Sequence, residues 1–319
     1  DSLIKCTNAA EVSEPNFLVA KILPIPQEVK ILEGCFSLDK PASILIPQKP
    51  SVHDIFLARF LQSELSDRHK LTFQIEKHSR VLENKNAFVI GTFDNSLVNK
   101  LCIGLNLKVD AVTPGPEGYQ LYIDEDLVLI AGSDKEGAFY GLQSLRQLLE
   151  KRNDPEKLQS IRIHDYPHKT FRGIRLHMPG PKNIHFFKRF LRDFMALYKF
   201  NKVIMEVNAG MRLSSHPELN QGWVEFSKDL KYSCRDYCLG PRAESQDSPH
   251  HDAVDGRIIE TEDVADIVNF ARKHYIEIIP EICSLTHSYY LITTHREIAE
   301  VQQAEWPGAY CPSNPKSYD

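Results

Sequence analysis

The feature of this sequence that most constrains its fold is an alternation of apolar strands and amphipathic helices in its second half. Three segments have the composition of buried strands: FRGIRLHM (171–178), NKVIMEVN (201–208) and YIEIIPEI (275–282). A helical pattern separates each neighbouring pair, at 183–200 and at 261–274, with Thr261 as the expected N-cap of the second. Nearly continuous apolar strands that alternate with helices are typical of a parallel, helix-covered sheet. The sequence therefore predicts an α/β fold, with a (β/α)8 TIM-type barrel in this half.

Residues 17–165 follow a different pattern. Strands are predicted at 42–47, 71–77 and 86–92, and a two-stranded hairpin is predicted at 118–132. One helix is predicted at 51–68, and a second begins after Ser133, where Glu136 lies three residues on as in a capping box. We predict an α+β domain over residues 17–165, followed by the first part of the barrel over residues 166–319.

Composition and charge argue against several functions. The net charge of −5 comes without a basic stripe that could follow a phosphate backbone, so nucleic acid is not an expected partner. No apolar run approaches the roughly 20 residues that cross a bilayer. The seven cysteines are scattered and odd in number, which does not indicate a disulfide framework. Cys234 and Cys238 lack the second pair of a zinc site and are expected to be free thiols, and no metal or organic cofactor is predicted.

Polar side chains follow the three predicted strands of the second half. In a (β/α)8 barrel, functional residues lie at the C-terminal ends of the strands. This rule places the following residues on one rim: Arg175 or His177, then Glu206 and Asn208, then Glu281 and His287. A structural role is the alternative for each, since a strand-end glutamate can anchor a loop and a loop histidine can cap a helix.

Four segments of the second half carry a resemblance to a known family. They are YPHKTFRGIRLHM, ALYKFNKVIMEVN, ETEDVADIVNFARKHYIEIIPEICSLTHS and YCPSNP. In order and spacing they resemble the first part of the catalytic barrel of family 20 glycoside hydrolases, the β-N-acetylhexosaminidases. PEGYQLYIDEDLVLIAGSDKEGAFYGLQSLRQLL resembles the α+β domain that precedes that barrel. The resemblance covers nearly the whole chain.

The resemblance implies a mechanism and a set of site residues. Family members remove a terminal N-acetylhexosamine with retention, the 2-acetamido oxygen of the substrate acts as nucleophile, and an Asp-Glu pair assists. Arg172 of FRG matches the arginine that holds the sugar hydroxyls. His287 matches a histidine of the charged network around the catalytic acids, and Glu281 matches the glutamate of the family's strand-end Pro-Glu. Both are predicted catalytic residues. Trp223 and Trp306 are expected to stack on a sugar ring or to pack within the protein. The implied partner is a glycan or glycoconjugate, and the implied location is periplasmic or secreted.

Five positions depart from the family pattern. Cys283 stands where the family has an aspartate, and Leu285 and Thr286 replace its Pro-Gly. Glu206 and Asn208 stand where it has a histidine and an aspartate. Hydrogen-bonding groups remain at the last two positions, but their charges differ. The resemblance therefore leaves two alternatives open, a hydrolase with a rebuilt sugar pocket and a non-catalytic carbohydrate-binding protein.

The family's Asp-Glu pair has no counterpart in residues 171–319, which are also far fewer than the about 250 residues of a complete barrel. We expect the chain to be a fragment of a longer protein, with the pair beyond Asp319. The alternative is a self-contained protein that associates with itself through an open barrel edge. A third hypothesis is a metal-dependent hydrolase that uses His250, His251, Asp252 and Asp255, although adjacent histidines in a strand or coil point apart.

Overall fold

The computed structural model describes residues 22–80, 86–150, 154–229, 258–304 and 308–318. The chain divides into two compact units. The first unit comprises residues 1–170 together with 197–199, and the second comprises residues 171–196 and 200–319. The residues 230–257 that carry the histidine cluster, Cys234 and Cys238 lie outside the described residues, as does Trp306.

The first unit is built on a seven-stranded mixed sheet with the strand order β1-β7-β5-β6-β4-β2-β3. The strands are β1 (Glu28–Ser37), β2 (Ala42–Pro47), β3 (Gln74–His78), β4 (Asn86–Thr92), β5 (Tyr119–Ile123), β6 (Leu127–Gly132) and β7 (Lys157–Asp165). Strands β6, β4, β2 and β3 are parallel neighbours, and the pairings that involve β1, β7 and β5 are antiparallel. The predicted strands at 42–47 and 86–92 and the predicted hairpin are confirmed.

Three helices pack in this unit: α1 (Val52–His69), α2 (Ser96–Gly104) and α3 (Lys135–Glu150). A capping box starts α1, since Ser51 Oγ accepts from the Asp54 backbone N and Asp54 in turn accepts from the Ser51 backbone N. The capping box expected at Ser133 is wrong. Asp134 caps α3, because its Oδ1 accepts from Gly137 N at 2.7 Å and its Oδ2 accepts from Glu117 N at 2.7 Å.

Buried polar side chains bond to one another in the described part of the first unit. Arg146 of α3 and Glu64 of α1 form an ion pair at 2.6 Å, with side chains only 1% and 2% exposed. Lys199 Nζ lies 2.9 Å from both Asp165 Oδ2 and Tyr119 Oη, and Tyr119 Oη lies 2.6 Å from Ser144 Oγ. Burial, followed by the charge of Asp165, raises the pKa of Tyr119 well above its usual value, so this phenol stays protonated.

The second unit contains a three-stranded parallel sheet in the order β10-β9-β8. Its strands are β8 (Gly173–His177), β9 (Lys202–Glu206) and β10 (Glu277–Glu281). Between β8 and β9 the chain forms a 3₁₀ turn (Pro181–Asn183), α4 (Ile184–Phe190) and a π-helical segment (Leu191–Ala196). The helices α5 (Pro217–Asp229) and α6 (Thr261–Lys273) come between β9 and β10.

After β10 come the short helix α7 (Tyr289–Ile292) and two 3₁₀ turns, Arg296–Ile298 and Pro315–Tyr318. Thr261 is the first residue of α6 and not its N-cap, which is Glu260. The alternation of parallel strands and helices confirms the α/β fold class. Among the described residues of the second unit, the parallel strands form a three-stranded sheet and not a closed barrel.

Candidate active site

The C-terminal ends of the three parallel strands are level with one another. The register pairs His177 with Glu206 and Glu206 with Glu281, so the last residues of β8, β9 and β10 are direct neighbours. Because side chains two residues apart share a face of a strand, Arg175 lies on the same face as His177. The strand ends thus bring two carboxylates, a histidine and an arginine together.

Arg175 joins the two carboxylates. Its Nε donates to Glu281 Oε2 at 2.6 Å, and its Nη2 donates to Glu206 Oε2 at 2.6 Å. The side chain of Arg175 remains 47% exposed and that of Glu281 32% exposed, whereas Glu206 is 8% exposed. The accessible surface of this charged group therefore consists mainly of the guanidinium and the Glu281 carboxylate. Guanidinium donors and carboxylate acceptors suit neighbouring hydroxyl groups.

Glu206 is held on both of its oxygens by protein donors. Its Oε2 lies 2.6 Å from Arg175 Nη2 and 3.1 Å from His177 Nδ1, and its Oε1 accepts from Asn208 Nδ2 at 2.6 Å. The hydrogen bond from His177 lowers the pKa of Glu206 below its usual value of 4.5, against the opposing effect of burial, and the charges of His177 and then Arg175 lower it further. Glu206 is thus an ionised residue that positions its neighbours.

The lowered pKa of Glu206 predicts a pH-dependent contribution to stability. A carboxyl group with a folded-state pKa below its unfolded value stabilises the fold above the unfolded pKa and loses that effect as the pH falls. Glu206→Gln should therefore reduce the free energy of unfolding most at neutral pH, and the difference from wild type should shrink below about pH 4.5. Urea unfolding at a series of pH values measures this, and a difference that stays constant would contradict the prediction.

Asn208 links the loop after β10 to the end of β9 by side-chain hydrogen bonds. Its Oδ1 accepts from the backbone N of Cys283 at 2.9 Å, while its Nδ2 donates to Glu206. The carbonyl of Cys283 accepts from Tyr290 Oη at 3.1 Å. Asn208 has a positive φ of 36°, a conformation that surrounding contacts must maintain. The backbone of Cys283 therefore contributes to the arrangement of the loop.

His287 and Trp223 lie in the region beyond this loop. His287 is exposed and its ring meets Tyr289 edge-on, with the ring centroids 6.5 Å apart. Trp223 is only 5% exposed and stacks on Tyr289 with centroids 5.5 Å apart. In this structure the Trp223 ring supports Tyr289, which is the more exposed of the two.

The backbone of Arg172 lies at the opposite end of the sheet from Glu206. Its N donates to Asn201 Oδ1 at 3.0 Å, and its carbonyl accepts from the backbone N of Asn201 and Lys202, where β9 begins. The structure thus brings Glu206, Asn208 and Glu281 together, with Arg175 and His177 as their partners. The sequence predicts Arg175 or His177 on the rim without a role for either, although the period-two alternation of a strand indicates that they share a face.

Two features are absent from the described residues, a metal-binding cluster and a membrane-spanning helix. None of these residues forms a group of three or more His, Cys, Asp or Glu side chains that could hold a metal ion. In the same ranges, no helix has the length and apolar character to cross a bilayer.

Comparison with known proteins gives a consistent family relationship. The family profile described as Glycosyl hydrolase family 20, domain 2, matches residues 19–166. The beta-hexosaminidase of Porphyromonas gingivalis is 27% identical over 316 residues, which are 93% of this chain and 35% of that protein. Over residues 19–166 the chain is similar to domain 2 of glycoside hydrolase family 20. The chain spans about a third of the length of the Porphyromonas gingivalis beta-hexosaminidase.

Further family 20 proteins match parts of the chain or its fold. The N,N'-diacetylchitobiase of Vibrio harveyi is 30% identical over 176 residues, 53% of this chain and 19% of that protein. The solved β-N-acetylhexosaminidase of Streptomyces coelicolor superimposes with a TM-score of 0.65 at 19% identity, over 95% of this chain and 55% of that one. The chitobiase of Flavobacterium johnsoniae gives a TM-score of 0.61 at 23% identity, over 93% of this chain and 41% of that one. These structures share the fold of this chain.

Proposed function

We propose that this chain is part of a retaining exo-glycosidase that removes terminal N-acetylhexosamine residues from glycans. In this proposal residues 17–165 are the α+β domain that precedes the catalytic barrel, and residues 166–319 are the first part of a (β/α)8 barrel. The names of the family 20 relatives, beta-hexosaminidase and N,N'-diacetylchitobiase, support the substrate class. The proposed location is periplasmic or secreted, where glycan substrates are found.

The observation that carries the proposal is the hydrogen-bonded group of Arg175, Glu206 and Glu281 at the C-terminal ends of β8, β9 and β10. A terminal sugar offers vicinal hydroxyl groups that both donate and accept hydrogen bonds. Glu281 and the exposed part of Arg175 supply an acceptor and donors side by side. Glu206 and Asn208 hold these groups and the following loop in place. A charged rim of this kind can orient a sugar ring before the glycosidic bond breaks.

The proposed reaction is substrate-assisted. The acetamido oxygen of the sugar attacks its own anomeric carbon while a general acid protonates the departing glycosidic oxygen, and water then opens the intermediate with net retention. Residues 171–319 contain no adjacent Asp-Glu pair. We assign the binding and orientation of the sugar to Arg175 and Glu281 at the strand ends. His287 and Glu281 are proposed members of the charged network around the acids. Arg172, which the family resemblance suggested as a sugar ligand, receives no role in sugar binding, because its backbone lies at the opposite end of the sheet from Glu206.

The test is turnover by the intact protein as its gene encodes it. We expect hydrolysis of para-nitrophenyl N-acetyl-β-glucosaminide, with the β-anomer as the first product in proton NMR spectra. An α-anomer as the first product would contradict the retaining mechanism. Binding of N-acetylglucosamine without turnover would instead support a carbohydrate-binding protein, and neither binding nor turnover would contradict both functions.

A further inference from the structure

The sheet of the first unit carries polar side chains on the face that lies opposite α3. Tyr119 of β5 bonds to Ser144 of α3, so the next residue, Gln120, points to the other side of the sheet. The strand register places six residues on that side in two rows of three, Glu28, His164 and Gln120 in one row and Lys30, Arg162 and Tyr122 in the other. We call these six residues the polar face. None of them has a role in the proposed function.

Two cations lie side by side on the polar face. Lys30 of the edge strand β1 is directly opposite Arg162 of β7. Lys30 is exposed and Arg162 is half-buried, and neither forms an ion pair with another of the described residues. Like charges that face each other on neighbouring strands destabilise a sheet. An anionic group that contacts both side chains removes this repulsion.

The carboxylates on the same side of the sheet leave the two cations accessible. Glu28 lies opposite His164 in the other row. Asp124, which follows β5, has its Oδ1 occupied by the backbone N of Asp126 at 3.0 Å and that of Leu127 at 2.8 Å. The fork of guanidinium donors on Arg162 suits a carboxylate or a sulfate, and Lys30 adds a second positive charge.

Three rings accompany the cations. Tyr122 is directly opposite Arg162 on β5 and is half-buried. In the other row, the ring of His164 meets the ring of Tyr166 edge-on, with the centroids 6.0 Å apart, and Tyr166 is 41% exposed. Gln120 Nε2 lies 2.9 Å from His164 Nδ1 and holds the imidazole in place. Such rings offer apolar surface to the faces of sugars and polar atoms to their hydroxyls.

The polar face is large enough for more than one sugar unit. Neighbouring strands lie about 4.8 Å apart, and the two rows are separated by two residues, about 6.7 Å. Three strands and two rows thus give roughly 10 Å by 7 Å, and Tyr166 extends the surface by another two residues. The net charge of −5 and the presence of two cations among these six residues do not suit a nucleic acid. A cationic pair with flanking rings therefore favours a glycan that carries anionic groups.

We propose that the polar face binds an anionic glycan. A carboxylate or sulfate group of the glycan lies between Lys30 and Arg162, and neighbouring sugar rings pack on His164 and Tyr166. The ligand class is a polysaccharide that contains uronic acid or sulfated sugars. Binding at this face needs no cleavage of a glycosidic bond, so the proposal is independent of the proposed function.

Calorimetric titration of the intact protein with a chondroitin sulfate hexasaccharide tests the proposal. This probe alternates a uronic acid with a sulfated N-acetylhexosamine. Lys30→Gln and Arg162→Gln each remove one cation and keep a polar side chain. Lys77→Gln is the matched control, because Lys77 is an exposed lysine of β3, the strand at the other edge of the same sheet.

We expect the wild-type protein to bind the hexasaccharide, and each substitution on the polar face to raise Kd at least about tenfold, because each removes a hydrogen bond to a charged group. Lys77→Gln should change Kd less than about twofold. An uncharged hexasaccharide of N-acetylglucosamine should have the same affinity for all four proteins. The Tm of Lys30→Gln should be equal to or above that of wild type, because the substitution relieves the repulsion between the two cations.

Four outcomes would overturn the proposal. The wild-type protein fails to bind the anionic hexasaccharide, or its Kd is the same in Lys30→Gln and Arg162→Gln. Lys77→Gln loses as much affinity as these variants do, which indicates attraction to surface charge in general. The uncharged hexasaccharide loses affinity in parallel, which indicates a face that does not select anions. Inorganic sulfate binds as tightly as the hexasaccharide, which indicates a site for a simple anion. A protein that hydrolyses no glycan is still tested by these titrations.

Discussion

Arg175→Met is expected to lower kcat/KM for N-acetyl-β-hexosaminides on the order of 10²-fold in the intact protein. The guanidinium is the shared donor of Glu206 and Glu281, at 2.6 Å from each. Without it, the two carboxylates at adjacent strand ends repel each other, and their geometry and charge change together. The measurement is steady-state kinetics with para-nitrophenyl N-acetyl-β-glucosaminide across a range of pH.

A pH profile separates a specific role of Arg175 from simple loss of structure. Removal of the cation raises carboxylate pKa values, so the acidic limb of the profile should move to higher pH. Arg175→Lys should recover part of the activity because it keeps the charge but loses the fork of donors. Arg212 pairs at 2.6 Å with Glu260, whose side chain is 51% exposed, against 8% for Glu206. Arg212→Met serves as control, with an expected change of less than about twofold. Activity of Arg175→Met close to that of wild type would contradict the assigned role.

Arg146→Met is expected to reduce the free energy of unfolding of the first unit by about 3–5 kcal/mol. The substitution removes one partner of an ion pair in which both side chains are almost fully buried. It also removes the hydrogen bond from Arg146 Nη1 to Gln143 at 2.7 Å. Urea denaturation monitored by circular dichroism measures the loss. The double variant Arg146→Met, Glu64→Leu should recover part of it, since apolar side chains can replace a buried pair.

Arg68 provides a control that shares the same carboxylate. Its Nε lies 3.2 Å from Glu64 Oε2, but its side chain is 36% exposed. Arg68→Met should therefore cost less than about 1 kcal/mol. Equal losses for the two arginine variants would show that burial does not determine the strength of these pairs.

The secondary structure could be predicted where the local sequence pattern determines it. Prediction failed at helix ends whose capping residue also contacts a residue distant in sequence. The strands at 42–47 and 86–92 are apolar runs bounded by turn residues, and these runs coincide with β2 and β4. The start of α3 depends on Asp134. Its Oδ2 accepts a hydrogen bond from the backbone N of Glu117, 17 residues earlier. Glu260 precedes α6 and pairs with Arg212, 48 residues earlier. Neither partner is visible in the local sequence.

The candidate site could likewise be predicted only in part from the sequence. The positions of Glu206, Asn208 and Glu281 at strand ends follow from the alternation of strands and helices, because parallel strands end at one edge. The contacts of Arg175 with both carboxylates depend on the in-register pairing of three strands, which local patterns do not determine. Trp223 shows a similar difficulty, since a tryptophan that stacks on a ligand and one that stacks on Tyr289 have the same sequence pattern.

The buried Lys199 has a consequence for the order in which the chain is made. Lys199 supplies the cation beside Asp165 in the first unit, although 33 residues separate the two in sequence. A ribosome that has released only the residues up to β7 has produced an aspartate without its buried partner. The first unit can therefore complete its fold during synthesis only after β8 and α4 have also emerged. A sequence boundary near residue 166 is thus not the point at which this unit becomes able to fold.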